Sequence, residues 1–108
     1  PDPNLEQSFG DIHYAVSMAT IECHFWMNNM FWNDDDWILN NIDAIKDIPT
    51  YIVHGRYDVD CRPINAYELS KKLNNCDLDF VISGHSSAEP AIVDALVRAT
   101  DRFKEILK

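Results

Sequence analysis

Glycine is scarce in this sequence, and its scarcity excludes several kinds of site. The 108 residues contain three glycines, Gly10, Gly55 and Gly84. Because these are far apart, the chain can hold neither the GxSxG turn that exposes a nucleophilic serine nor a glycine-rich phosphate cradle. None of the four histidines belongs to the metalloprotease pattern HExxH. We therefore expect a chain without a nucleophile elbow, and we expect neither a cofactor nor a metal.

Cysteine and positive charge are also in short supply. The three cysteines, Cys23, Cys61 and Cys76, are odd in number and lack CxxC spacing, which argues against a disulfide framework and a zinc cage. Nine basic residues against eighteen acidic ones give a formal charge of −9. This charge repels phosphate backbones and anionic membrane surfaces. We expect reduced thiols, and neither nucleic acid nor a membrane as a partner.

Long apolar runs and a leader peptide are missing as well. No run approaches the span of a bilayer, and the first residues, PDPNLEQS, lack the basic and apolar regions of a signal peptide. A cytoplasmic location is the expectation. The start at Pro1 without a methionine suggests a piece of a longer chain, although an apolar content of 46% can fill one small core.

The first third of the sequence has a helical period. Asp11 is a suitable N-cap for a helix running to about Asn29, along which apolar residues recur at steps of three and four. We expect most of this helix to be covered. Glu22 lies inside the pattern, where an ionised carboxylate is costly unless a cation or hydrogen-bond donors meet it. Glu22 is therefore a candidate ligand-binding residue.

Three consecutive aspartates, Asp34 to Asp36, precede the next helix. An EF-hand would need alternating ligands, a central glycine and a distant glutamate, all of which are missing here. The simpler interpretation is an acidic N-terminus for a helix from Trp37 to Lys46. Its inward residues would be Ile38, Ile42 and Ile45.

The remaining sequence alternates between strands and helices. Strands are predicted over Tyr51 to Val53 and Leu78 to Ile82, with a helix from Pro63 to about Leu73 between them and a last helix opening at Glu89-Pro90. This order is typical of an α/β protein with parallel strands and a right-handed crossover. Two parallel strands cannot bury both faces and both edges alone.

Two ionisable residues each follow a predicted strand. Asp58 comes shortly after His54-Gly55, and His85 comes after Gly84. Alone, each is more often a turn or loop residue. Together, however, they match the hydrolase order in which the acid follows one late strand and the base follows the next. We therefore interpret Asp58 and His85 as the acid and base of a catalytic triad whose nucleophile is not in this chain.

These residues carry a resemblance to a known family. The chain resembles the C-terminal part of the proline iminopeptidases, which are serine peptidases of the α/β-hydrolase superfamily with a helical cap. The resemblance extends from about Tyr14 to Phe103. It is carried by the stretches AVSMATIECHFWMNN, IPTYIVHGRYDVDCRPINAYELSKKL and SGHSSAEPAIVDALVRATDRF.

The resemblance implies a fold and a set of roles. The expected fold is the C-terminal portion of an α/β-hydrolase, two parallel strands with crossover and C-terminal helices, plus the last helices of the cap. By likeness, Asp58 and His85 are the triad acid and base, and Glu22 is the cap glutamate that binds the free α-amino group of the substrate. Phe25 and Trp26 would form part of an apolar wall for the pyrrolidine ring, although a role in the core is the commoner one for such residues.

The implied organisation has two parts. Residues 1–36 would end the helical cap, and residues 37–108 would form the C-terminal part of the hydrolase core. The expected partners are a peptide substrate with N-terminal proline and the upstream half of the parent chain, with a homo-oligomer possible. The alternatives are another hydrolase of this fold, such as an esterase, and a non-catalytic module that self-associates.

The sequence also departs from the family near Asp58. Cys61 matches a family cysteine near the site, which would account for sensitivity to thiol reagents without making it a nucleophile. Asp60 and Arg62 replace what are usually an apolar residue and a proline. Asp60 thereby places a second carboxylate close to Asp58.

Overall fold

The computed structural model describes residues 10–106 together with Asn4 and Gln7. The chain divides into two compact units, with the boundary between Trp37 and Ile38. No helix among the described residues is long and apolar enough to cross a bilayer.

The first unit contains helix α1, Ile12–Met27. The predicted N-cap is confirmed, because the Asp11 side chain accepts a hydrogen bond of 3.0 Å from the backbone N–H of Tyr14. A 3₁₀ turn follows at Asn29–Phe31. Every residue of α1 is exposed, so the expected covering of its apolar face is wrong for this unit. The reason is that the described part of the unit offers this face only the short turn, through Phe31 against Phe25.

The helix predicted over residues 37–46 is broken in two. Helix α2 spans Trp37–Asn40, and a separate 3₁₀ turn spans Ile42–Ala44. Asn41 lies between them with non-helical dihedral angles, and consecutive asparagines favour such breaks because their side chains compete with the helix for backbone hydrogen bonds. The expected inward set is also wrong in part, since Ile38 and Ile45 are exposed.

The second unit has the expected strand–helix–strand–helix order. Strand β1 spans Thr50–Gly55, helix α3 Pro63–Lys72, strand β2 Cys76–Val81 and helix α4 Pro90–Ile106. The strands pair in parallel over their whole length, from Thr50 opposite Cys76 to Gly55 opposite Val81. Pro63 takes the first turn of α3, where a backbone N–H would have no helical partner. The described chain is thus a partial α/β fold, as the sequence predicts.

The core lies between the two strands and the helices α3 and α4, which both contact the sheet. Apart from Gly55 at its end, each strand remains only partly buried, in agreement with the expectation that two strands cannot cover all their faces and edges. Among the described residues, the buried apolar side chains lie on helix α3, at the residue directly after it, and on helix α4: Ala66, Leu73, Ile92, Ala95 and Ala99.

The carboxyl ends of the two strands approach each other very closely. A Cβ built on Gly55 would lie 1.9 Å from the carbonyl oxygen of Gly84 and 2.8 Å from that of Ser83. Backbone hydrogen bonds continue past the strands, from Arg56 N–H to Val81 at 2.8 Å and from Tyr57 N–H to Ser83 at 3.0 Å. The loops that follow β1 and β2 are therefore joined where the candidate site residues lie.

The close approach at Gly55 leads to a stability prediction. Gly55→Ala should lower the free energy of unfolding by about 3 kcal/mol, because the added methyl group meets backbone atoms that cannot move independently. Gly84→Ala is the matched control. The nearest atoms to its Cβ would belong to the Glu89 side chain, with Oε1 nearest at 3.0 Å, so its cost should be no more than about 1 kcal/mol. Urea unfolding followed by circular dichroism measures both, and equal effects would contradict the prediction.

Candidate active site

Asp58 lies in the loop after β1 and is buried, with 7% of its surface exposed. Its Oδ1 accepts hydrogen bonds from the backbone N–H groups of Asp60, at 3.0 Å, and Cys61, at 2.9 Å. This local turn follows from the ability of aspartate to bond to backbone groups two and three residues ahead. One carboxylate oxygen is thus used to shape the loop, and the other is available for a second partner.

That second partner is His85, in the loop after β2. His85 Nδ1 lies 3.1 Å from Asp58 Oδ2. An ionised carboxylate only accepts hydrogen bonds, so Nδ1 carries the proton and Nε2 of the neutral ring keeps its lone pair. The His85 side chain is 57% exposed. The structure therefore brings together the two residues that the sequence pairs, and leaves the other ring nitrogen without a partner among the described residues.

The charges of this pair support each other. Burial raises the pKa of Asp58, but hydrogen bonds from the Cys61 N–H, His85 and the Asp60 N–H outweigh it and lower the pKa below its usual value. The pKa of His85 is raised, chiefly by its hydrogen bond to Asp58 and the charge of that carboxylate, and to a smaller extent by the charge of Asp60. Asp60 thus contributes charge and a backbone donor, while Asp58 makes the bond to the imidazole.

A second imidazole, His54, also borders Asp58, and the sequence did not single it out. His54 Nε2 lies 3.7 Å from Asp58 Oδ2 and 2.8 Å from the carbonyl oxygen of Cys61. Because a carbonyl oxygen only accepts, Nε2 carries a proton and donates to it. His54 therefore holds the Asp58 loop at Cys61, three residues after Asp58. The signal available in the sequence was its position four residues before Asp58, at the end of β1.

Glu89 is the second site residue that the sequence did not single out, because the sequence predicted it only as the start of the last helix. Its carboxylate accepts hydrogen bonds from the Ser83 hydroxyl, at 2.5 Å, and from the backbone N–H groups of Gly84, at 3.0 Å, and Ser86, at 3.3 Å. Hydrogen bonds from the Ser83 hydroxyl, the Gly84 N–H and, to a smaller extent, the Ser86 N–H lower the pKa of Glu89. Burial acts in the opposite direction but does not outweigh them. The signal in the sequence was the glutamate of the GHSxxEP stretch.

Glu22, Phe25 and Trp26 lie in the first unit, on α1. Their spacing of three and four residues places them on one face of the helix. All three are exposed, so the costly burial anticipated for the Glu22 carboxylate is not observed. The three side chains form an acidic and aromatic surface that a ligand could contact.

Three possible metal donors occur together among the described residues. One ligand atom from each of Asp58, Cys61 and His85 lies within 4.8 Å of the others. Asp58 Oδ2 and His85 Nδ1 are already joined by a hydrogen bond. That hydrogen bond uses one donor atom of each of these two residues.

The chain is similar to several known proteins. No protein-family model matches the chain. The chain is 47% identical over 103 residues to a probable proline iminopeptidase of Leptolyngbya boryana, covering 94% of this chain and 32% of that protein. It is 47% identical over 103 residues to the proline iminopeptidase of Xanthomonas citri, covering 94% and 33%. With the proline iminopeptidase of Arabidopsis thaliana it shares 39% identity over 108 residues, covering 97% and 28%.

The chain spans about a third of the length of these curated relatives. The similarity covers nearly all of the chain, both units included. These matches identify the chain as a relative of part of the proline iminopeptidases.

Proposed function

We propose that this chain is the C-terminal part of a serine aminopeptidase of the α/β-hydrolase fold that releases N-terminal proline from peptides. The observation that carries the proposal is the 3.1 Å hydrogen bond between Asp58 and His85 in a chain similar to proline iminopeptidases. In this proposal residues 1–36 end the helical cap, and residues 37–108 belong to the hydrolase core.

His85 acts as the general base and then as the general acid. Its Nε2 takes the proton of the serine nucleophile and later returns it to the leaving amine. Asp58 holds the proton on Nδ1, which fixes the tautomer, and stabilises the imidazolium that forms. The low pKa of Asp58 keeps the carboxylate ionised throughout this cycle.

The nucleophile and the oxyanion hole come from sequence outside these 108 residues. The glycines at 10, 55 and 84 leave no place for a GxSxG turn within them. A base and its orienting acid can lower the barrier only when the attacking hydroxyl lies within hydrogen-bond reach of the imidazole. The chain by itself is therefore inactive in this proposal.

Glu22 recognises the substrate amine. The α-amino group of an N-terminal proline is a cationic secondary amine, which an acidic side chain can bind through a charge-assisted hydrogen bond. Phe25 and Trp26 offer exposed aromatic surface on the same face of α1, which suits the pyrrolidine ring and the cation beside it. The specificity for a free N-terminus then comes from α1.

The proposal is tested by proline arylamide hydrolysis. The complete enzyme that contains this chain should turn over the substrate, and residues 1–108 alone should not. His85→Ala in the complete enzyme should lower kcat/KM by about 10⁴-fold or more, because the serine loses its base. His13→Gln, an exposed histidine on α1, is the control and should leave the rate unchanged. Turnover by the 108 residues alone, or full activity of His85→Ala, would overturn the proposal.

The hydrogen bond between Asp58 and His85 predicts that the stability of the fold depends on pH. The raised pKa of His85 means that its contribution to stability is complete below pH 6.5 and is lost as the pH rises through the folded-state pKa. The lowered pKa of Asp58 means that its contribution is present above pH 3.8 and is lost as the pH falls through its own folded-state pKa. The pair should therefore stabilise the fold most between pH 3.8 and pH 6.5.

Asp58→Asn should lower the pKa of His85, because the bond and the charge that raise it are both removed. The imidazole shifts in an NMR pH titration measure this change. Asp77→Asn, near the other end of β2, is the control and should leave the His85 pKa unchanged. An unaltered His85 titration in the Asp58 variant would show that the bond does not form in solution.

The proposed role of Glu22 predicts that its substitution slows the hydrolysis of substrates with a free amine and leaves other substrates unaffected. Glu22→Gln should lower kcat/KM for proline arylamides by about 10- to 100-fold, since a hydrogen bond to a charged group is replaced by a neutral one. An acyl ester without a free amine should be hydrolysed at the wild-type rate. Glu68→Gln, on the exposed side of α3, serves as the matched control. Equal losses for both substrates would remove Glu22 from amine recognition and favour the esterase alternative.

A further inference from the structure

One carboxylate holds the loop that carries His85. The Ser83 hydroxyl donates to Glu89 Oε2 at 2.5 Å, the Gly84 N–H lies 3.0 Å from both carboxylate oxygens, and the Ser86 N–H donates to Oε1 at 3.3 Å. Two of these donors precede His85 in the chain and the third follows it. Glu89 therefore fixes the backbone on both sides of the imidazole.

Glu89 is itself attached to a packed element. Its carbonyl oxygen accepts the hydrogen bonds of the Ile92 N–H, at 2.9 Å, and the Val93 N–H, at 3.0 Å, so the residue caps helix α4. The buried face of α4, at Ile92, Ala95 and Ala99, belongs to the core that contacts the sheet. The position of the carboxylate is thus set by tertiary packing.

His85 needs such support because packing gives it little. More than half of its side chain is exposed, so neighbouring side chains do not determine its orientation. Its hydrogen bond to Asp58 forms only while the loop backbone keeps Nδ1 within reach of the carboxylate. Ser83, by contrast, is 6% exposed and directs its hydroxyl to Glu89.

A carboxylate suits this task better than an amide. An ionised carboxylate is purely an acceptor and can receive all three donors, whereas a glutamine must direct an NH₂ group toward one of them. Glu68, by comparison, lies on the exterior of helix α3.

We infer that Glu89 is a positioning residue, which holds the His85 loop so that the imidazole stays aligned with Asp58. Its catalytic consequence rests on the function proposed above. Its structural consequence, a fixed distance between His85 Nδ1 and Asp58 Oδ2, can be measured without any catalysis. The two consequences therefore have separate tests.

The kinetic test uses the complete enzyme with proline arylamide as substrate. Glu89→Ala should lower kcat by about 100-fold with little change in KM, since misplacing a catalytic group by about 1 Å has an effect of this size. Glu89→Gln should lose no more than about 10-fold, because its carbonyl oxygen can still accept from the Gly84 and Ser86 N–H groups. Ser83→Ala removes one of the three donors and should lie between wild type and Glu89→Ala. Glu68→Gln and Ser87→Ala are the controls and should match wild type.

The second readout is the NMR titration of His85 in the same variants. Loosening the loop should lower the His85 pKa toward the ordinary value of a histidine, because the bond to Asp58 is the main cause of its raised pKa. A role in stability alone would lower the urea midpoint while kcat and the His85 pKa of the folded protein stayed at wild-type values, and that result would overturn the inference. If Glu89→Ala does not fold, Glu89→Gln and Ser83→Ala decide: graded losses of kcat and of the His85 pKa support the inference, and wild-type values for both overturn it.

The controls separate this inference from the proposed function. If His85→Ala abolishes activity while folded Glu89→Ala remains fully active with an unchanged His85 titration, only the positioning role fails. If His85→Ala is fully active, the proposed function fails. The His85 titration in the Glu89 variants then decides the positioning role alone: a lowered pKa supports it, and an unchanged pKa overturns it.

Discussion

The close approach of the two strand ends is the constraint on which the site depends. At Gly55 the backbone of β1 contacts the carbonyl groups of Ser83 and Gly84 so tightly that no side chain fits between them. The N–H groups of Arg56 and Tyr57 then continue the strand pairing into the loops. Because the loops are joined in this way, Asp58 and His85 meet although 27 positions separate them in the sequence. A residue with a Cβ at position 55 would push the two loops, and with them Asp58 and His85, apart.

Two carboxylates, Asp58 and Glu89, organise the site, and each holds a loop by accepting hydrogen bonds from it. Asp58 uses one oxygen to hold its own loop and the other to bind His85. Glu89 uses both oxygens to hold the loop on which His85 lies. Both groups have lowered pKa values because donors surround them, so both remain ionised at neutral pH. His54 adds a further support through the Cys61 carbonyl. The imidazole of His85 is thus exposed but oriented, as the proton transfer that we propose for it requires.

The two units differ in how much of their apolar surface is covered. The second unit has a small buried core under its sheet, whereas helix α1 of the first unit has no buried residue. In the function that we propose, this difference has a purpose. The second unit must hold the acid and base rigidly, while α1 must leave Glu22, Phe25 and Trp26 accessible to a substrate. The relatives are about three times as long as this chain, so each unit would have further sequence to contact in a protein of their length.

Local patterns in the sequence predicted most of the elements, and they paired Asp58 with His85, which the structure brings together. Asp11 and Pro63 marked helix starts because capping and proline chemistry act over a few residues, and the strand–helix–strand order placed Asp58 and His85 at one edge of the sheet. The break at Asn41 and the exposure of α1 were missed, since periodicity reports an apolar face but not whether anything covers it. The hydrogen-bond partners of His54 and Glu89 are determined only by the tertiary structure. Each bonds to backbone groups of a loop, and backbone carbonyl and N–H groups are the same in every sequence, so their partners become visible only when the chain has folded.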